Sequence, residues 1–191
     1  MQTLKALATL CDTTLASGDG DTLITGITLT SSTVEPGDMF AGLPGLHVHG
    51  ARFAADAVAR GARAILTDSA GADIIAGAEG PIPALLVVDD VRAVLGTVSA
   101  AIYDHPSDTV PVIGITGTSG KTTTAYLIES AFRNAGHSVG MIGTTGSRIN
   151  GTRVPSSLTP QKPPTCSAFS PPCEMRESTV LPWKSPATPC C

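Results

Sequence analysis

A chain of 191 residues that is 42% hydrophobic has room for one large domain or two small ones, and enough apolar side chains to fill them. Its net charge is -4 and its twelve Lys and Arg are scattered, so it offers no nucleic-acid surface and no attraction to an anionic membrane. No apolar run approaches a membrane span, and the opening M-Q-T-L-K-A-L-A-T-L-C-D lacks the long apolar core of an export signal, so the expected compartment is the cytoplasm.

In chain order, Leu4, Leu7, Ala8 and Leu10 recur at helical spacing and predict a short helix before the turn Gly18-Asp19-Gly20. Residues 23–29 alternate as a strand does, Glu35-Pro36-Gly37-Asp38 reads as a turn, and 39–43 as a second strand. Residues 51–61 predict a helix with Phe53, Ala57 and Val58 on one face and Gly61 as its stop, followed by a strand at 64–67. A further strand at 84–88 leads through Asp89 or Asp90 as N-cap into a helix from 91 to about 103. This is the pattern of an α/β domain. His105-Pro106-Ser107 marks its end, because proline and small polar residues break the helix there.

The second region opens on V-I-G-I-T-G-T-S-G-K-T-T-T, residues 112–124. An apolar run ending at Thr116 predicts a buried strand, Gly117 and Gly120 flank Thr118 and Ser119, and Lys121 starts a helical pattern through Ala135. Such a strand-loop-helix unit gathers backbone N–H groups around a phosphate, and the helix adds about half a positive charge at its N-terminus. In that arrangement Lys121 reaches the β and γ phosphates and the Thr122 hydroxyl helps hold Mg²⁺. A strand at 138–143 and a turn at Thr144-Thr145-Gly146 follow.

The spacing departs from the general phosphate-loop pattern, which has glycine five residues before Gly120, where Ile115 stands. The form T-G-T-S-G-K-T-T resembles the version in the Mur ligases and in folylpolyglutamate synthetase, which use ATP to join a carboxylate to an amine. The resemblance widens upstream. Residues 28–62, T-L-T-S-S-T-V-E-P-G-D-M-F-A-G-L-P-G-L-H-V-H-G-A-R-F-A-A-D-A-V-A-R-G-A, look like the N-terminal domain of the Mur ligases that add the third residue of the peptidoglycan stem peptide.

That resemblance implies a uridine-holding α/β domain over residues 1–106 and the start of a central phosphate-loop ATPase domain over 107–159. The substrate would be a small molecule, UDP-N-acetylmuramoyl dipeptide, used with ATP and Mg²⁺. It places Gly117, Thr118, Ser119, Gly120, Lys121, Thr122 and Thr123 on ATP, with Lys121 as the catalytic residue and Thr122 on the metal. Leu29 and Ser31 on one loop, Leu46, His47 and Val48 on another, and Thr159 fall on the uridine-linked substrate. The family's Asp and Arg around the serine are Thr30 and Ser32 here, so the serine carries over and the arginine does not. By themselves His47 and His49, in a glycine-flanked loop, read as solvated histidines.

Residues 160–191 are rich in proline, without periodicity, and hold Cys166, Cys173, Cys190 and Cys191, whose spacing suits neither a zinc knuckle nor a disulfide ladder. They read as a disordered tail, and the genetic code offers a more specific account. Joining the third base of each codon to the first two of the next lets 159 onward spell T-P-E-A-P-D-L and lets 182–190 spell M-E-V-S-S-H-A, with the glutamate forced by Trp183 and Lys184. Both strings are what the resemblance calls for at those distances. The expectation is therefore a lost base near codon 159, an out-of-register tail, and a chain without ligase activity, the family's Mg²⁺-binding glutamate lying in the erased string. Two alternatives stay open: a relative that adds D-Ala-D-Ala, and a non-catalytic nucleotide-binding module with a genuine cysteine-rich tail.

Overall fold

In the computed structural model the described residues are 1–78, 83–154 and, as backbone, 178–183. They fall into two compact units, Met1–His105 and a second beginning at Pro106.

The first unit is built on a five-stranded sheet. Its elements are β1 (Gln2–Thr3), α1 (Leu4–Leu10), β2 (Leu15–Ser17), β3 (Leu23–Ile24), β4 (Gly26–Thr28), β5 (Asp38–Gly42), α2 (Ala54–Ala59), β6 (Ala64–Thr67), α3 (Ser69–Ala76), β7 (Ala84–Val87) and α4 (Val91–Ile102). Strand order is β2-β7-β6-β5-β4, with β4 to β7 mutually parallel and β2 antiparallel at the edge, while β1 and β3 pair separately.

Strand alternation explains the layers. Met39, Ala41, Leu66 and Leu86 point to one face, where they join the core formed with Leu4 and Leu7 of α1 and Val91, Leu95 and Val98 of α4. Phe40, Ile65 and Leu85 point to the other, where Ala57 of α2 and Ile75 of α3 close over them. A sheet covered on both faces needs strands without a polar side, and β6 is buried at every residue. Side chains cap the helices: Thr3 accepts from Ala6 N, Asp68 from Gly71 N, and Asp90 from the N–H groups of Arg92 and Ala93.

Two readings are corrected and one helix is new. The single strand over 23–29 is broken at Thr25: β3 pairs with β1, and β4 pairs in parallel with β5. The helix over 51–61 begins as a 3₁₀ turn, Gly50–Phe53, whose tighter winding swings Phe53 off the buried face and leaves it 51% exposed. Helix α3 was not anticipated at all. Its sequence S-A-G-A-D-I-I-A is poor in large apolar residues, and among its side chains only Ile75 contributes a large buried one.

The second unit holds a short helical turn α5 (Pro106–Thr109), β8 (Ile113–Ile115), α6 (Lys121–Asn134), β9 (Ser138–Gly143), β10 (Gly146–Ile149), β11 (Thr152–Val154) and β12 (Ser178–Trp183). Its sheet runs β11-β10-β9-β12-β8, antiparallel throughout. Among the described residues its core is Ile115, Ala125, Val139 and Met141, flanked by Tyr126, Ile128 and Phe132. Strand β8 is less buried than its apolar sequence predicts, since Gly114 is exposed and Ile115 alone is buried. Strand β12 lies within the stretch expected to lack regular structure. Its Pro182 faces only Val139 of β9, because β8 pairs no further than Val180, and one-sided pairing is what proline tolerates. The rest of the proposed out-of-register tail, with its four cysteines, lies outside the described residues.

Candidate functional site

Two sets of residues emerge, one in each unit. In the first unit, parallel strands place every following loop at one edge of the sheet. Leu29 and Ser31 follow β4, the loop of residues 43–50 with Leu46, His47 and Val48 follows β5, Asp68 follows β6, and Asp90 follows β7. The carboxyl edge of a parallel sheet is where α/β domains hold ligands. Leu29 is half-buried, packed against the α1–α4 core, whereas His47 is exposed and Leu46 is 99% exposed. Ser31 opens a 3₁₀ turn, Ser31–Thr33, beside α2, where its hydroxyl, and secondarily the Arg60 guanidinium at 3.1 Å, hold the Asp56 carboxyl below its usual range.

His49 departs from the reading of a solvated side chain. Its ring is 13% exposed, with Nδ1 accepting from Ala51 N at 3.1 Å and Nε2 3.0 Å from Asp68 Oδ1. Its partner Asp68 stands at the end of β6, a neighbour that the sequence around His49 does not show.

In the second unit the glycine loop joins β8 to α6. Gly117 has φ +136° and Gly120 has φ +79°, both left-handed values that a side chain would oppose. A Cβ at Gly120 would meet nothing within 4 Å, so glycine is needed there for its conformation and the space over the loop is open. Thr118 and Ser119 are exposed, Lys121 and Thr122 half-buried, and Thr123 exposed on the first turn of α6. No side chain caps α6 at Gly120. The Lys121 ammonium donates to the Gly117 carbonyl and so lies across the loop. Glycines in these conformations, an uncapped helix start and one lysine make a cradle suited to a polyphosphate.

Behind the loop, α6 is fastened to the hairpin of β9 and β10. Arg148 lies 5.0 Å from the centre of the Tyr126 ring, its Nε is 3.5 Å from Oε2 of the buried Glu129, and its Nη2 donates to the Gly151 carbonyl at 2.6 Å. Tyr126 Oη is 3.3 Å from Thr145 Oγ1; that bond, with Arg148 nearby, holds the phenol below its ordinary range. None of this cluster was anticipated from sequence. Thr159, expected on the substrate, lies outside the described residues, and among the described residues no cluster of His, Cys, Asp and Glu could hold a metal. No helix of the described residues is long and apolar enough to cross a membrane.

Comparison with known proteins bears on both sets. The pattern of the Mur ligase family, catalytic domain, matches residues 23–103, and that of the Mur ligase middle domain matches 115–172. A UDP-N-acetylmuramoyl-L-alanyl-D-glutamate–2,6-diaminopimelate ligase of Corynebacterium glutamicum is 51% identical over 153 residues, covering 78% of this chain and 29% of that protein. The protein of the same name in Streptomyces coelicolor is 52% identical over 145 residues, 76% of this chain and 28% of its own length. A UDP-N-acetylmuramyl-tripeptide synthetase of Leifsonia xyli subsp. xyli is 40% identical over 71% of this chain and 26% of that protein. Among solved structures, a UDP-N-acetylmuramoyl-L-alanyl-D-glutamate–2,6-diaminopimelate ligase has a TM-score of 0.55 at 26% identity, covering 81% of this chain and 29% of that one. The chain thus spans under a third of the length of the relatives it matches.

Proposed function

Because the chain belongs to the Mur ligase family, we propose that it is part of an ADP-forming ligase that adds the third residue to UDP-N-acetylmuramoyl-L-alanyl-D-glutamate. In this reading the γ-phosphoryl group of ATP passes to the terminal D-Glu carboxylate, giving an acyl phosphate and ADP. An incoming amine then attacks the acyl carbon, forming the amide and releasing phosphate. The added amine is that of 2,6-diaminopimelate, the residue named in the relatives at 49–52% identity.

The observation that carries the reading is the left-handed geometry of Gly117 and Gly120 with Lys121 between loop and helix. Catalysis of phosphoryl transfer is largely positioning and charge neutralisation. The loop N–H groups from Gly117 to Thr123 hold the polyphosphate, and Lys121 leaves the Gly117 carbonyl to neutralise charge on the transferred group. The Thr122 hydroxyl, half-buried at the start of α6, would hold Mg²⁺, which would supply further neutralisation of the phosphates. In the first unit, Leu29, Ser31, Leu46, His47 and Val48 hold the uridine end at the carboxyl edge of the sheet, and Thr159 meets the peptide end.

The lost base near codon 159 belongs to the same proposal, and re-reading the DNA across codons 155–165 tests it. The middle-domain match runs to residue 172, past that codon, so extending the re-reading through codon 175 also locates the break. The function is tested by assaying ATP-dependent formation of the tripeptide. The protein read from the repaired gene makes it and the 191-residue chain does not; activity in the 191-residue chain, or none in the repaired protein, overturns the corresponding half.

A further inference from the structure

The loop of residues 43–50 is held at its base and bare at its tip. Gly50 N donates to Leu43 O at 2.7 Å and closes the neck. Arg92 Nη2 donates to the Pro44 carbonyl at 3.1 Å and pins one limb. The other limb is pinned by His49. Because Nδ1 accepts the Ala51 N–H, the neutral ring carries its proton on Nε2, which donates to Asp68 Oδ1. The same oxygen accepts Gly71 N at 2.8 Å, so one carboxylate caps α3 and grips the loop. The ring is also wedged: a Cβ on Gly71 would come within 2.7 Å of His49 Cε1. Beneath it the buried Thr67 hydroxyl donates to Gly42 O at 2.9 Å and ties the ends of β5 and β6 together.

We propose that His49 and Asp68 are positioning residues: their hydrogen bond sets the loop of residues 43–50 in its ligand-holding shape before the uridine nucleotide arrives. The inference rests on the reading of that loop as a uridine holder. Leu46, His47 and Val48 carry the side chains offered to the ligand, and all three are exposed, Leu46 almost fully. Orientation comes from the base. Ordering a loop in advance removes that entropy cost from the binding step.

The test uses the full-length repaired enzyme and two variants that each keep their own helix cap while breaking the link. His49→Asn retains an acceptor for Ala51 N–H but is too short to reach Asp68. Asp68→Ser still caps α3 but cannot meet the imidazole. Each variant raises KM for UDP-N-acetylmuramoyl dipeptide about tenfold, with kcat and KM for ATP within about twofold, as expected when binding energy alone is removed. The double variant is no worse than either single one, the non-additivity of a shared bond. Additive effects, or an unchanged KM in both variants, overturn the inference while leaving the ligase reading in place. A wild-type enzyme with no affinity for the uridine substrate by calorimetry overturns both.

Discussion

The two units solve the problem of stability differently. In the first, a parallel sheet is closed on both faces, so Leu66, Ile65 and Leu86 sit among apolar neighbours with essentially no exposure. In the second, the described residues put four buried apolar side chains against a long helix, Leu127 on that helix stays 66% exposed, and the buried Glu129 faces Arg148. The first unit holds its loops on a sheet closed on both faces, whereas among the described residues of the second, polar contacts of Arg148 fasten α6 to its hairpin. The difference teaches that the shape of the glycine loop is set by local backbone geometry, at Gly117 and Gly120.

The largest effect expected is functional and confined to the second unit. In the repaired enzyme Lys121→Ala lowers ATP-dependent turnover by about a hundredfold or more, the scale of a lost transition-state charge contact, while uridine-substrate affinity by calorimetry stays unchanged. Loss of both together would mean that the units do not divide the work in this way. Next comes the core contrast. Leu66→Ala lowers stability by about 2–5 kcal/mol in denaturant titration, and Leu127→Ala changes it by less than about 0.5 kcal/mol. Similar costs for the two would erase the distinction between a closed and an open scaffold.

Removing Arg148 strands the Glu129 carboxylate, and Arg148→Ala is expected to destabilise the second unit by about 3 kcal/mol, with Tyr126 fluorescence reporting its earlier unfolding. Native-state hydrogen exchange sharpens the same point: amides of β5 and β6 exchange only through global opening, and those of β9 through a cheaper local one. The smallest effect is at a helix end, where Asp90→Ala costs about 1 kcal/mol through the lost cap of α4.

Much of the architecture was legible where one physical cause dominates. The glycine loop needs left-handed backbone at two positions, and Gly117 and Gly120 stand at both. Residues 64–67 are four apolar or β-branched residues in a row, and the structure has β6 there. Asp90 proved to be the cap because its carboxylate, one residue before α4, reaches the N–H groups of the first turn. Failures came where tertiary context decides. Helix α3 opens on small residues, and Gly71 among them leaves room for the His49 ring, a demand invisible in its own sequence. Strand β2 has three residues and exists by pairing with β7. His49 looked solvated because its partner, Asp68, comes from the next strand end, where parallel pairing of β5 and β6 brings it within reach.

The lysine resting on the Gly117 carbonyl has one more implication. Among the described residues no acid pairs with it, so its charge is parked on a neutral dipole, a partner easily outbid by an arriving anion. A carboxylate there would have made a stickier resting place and a slower release. Nucleotide capture should then be quick and sensitive to competing phosphate in the buffer, a latch whose closing force is supplied by the guest.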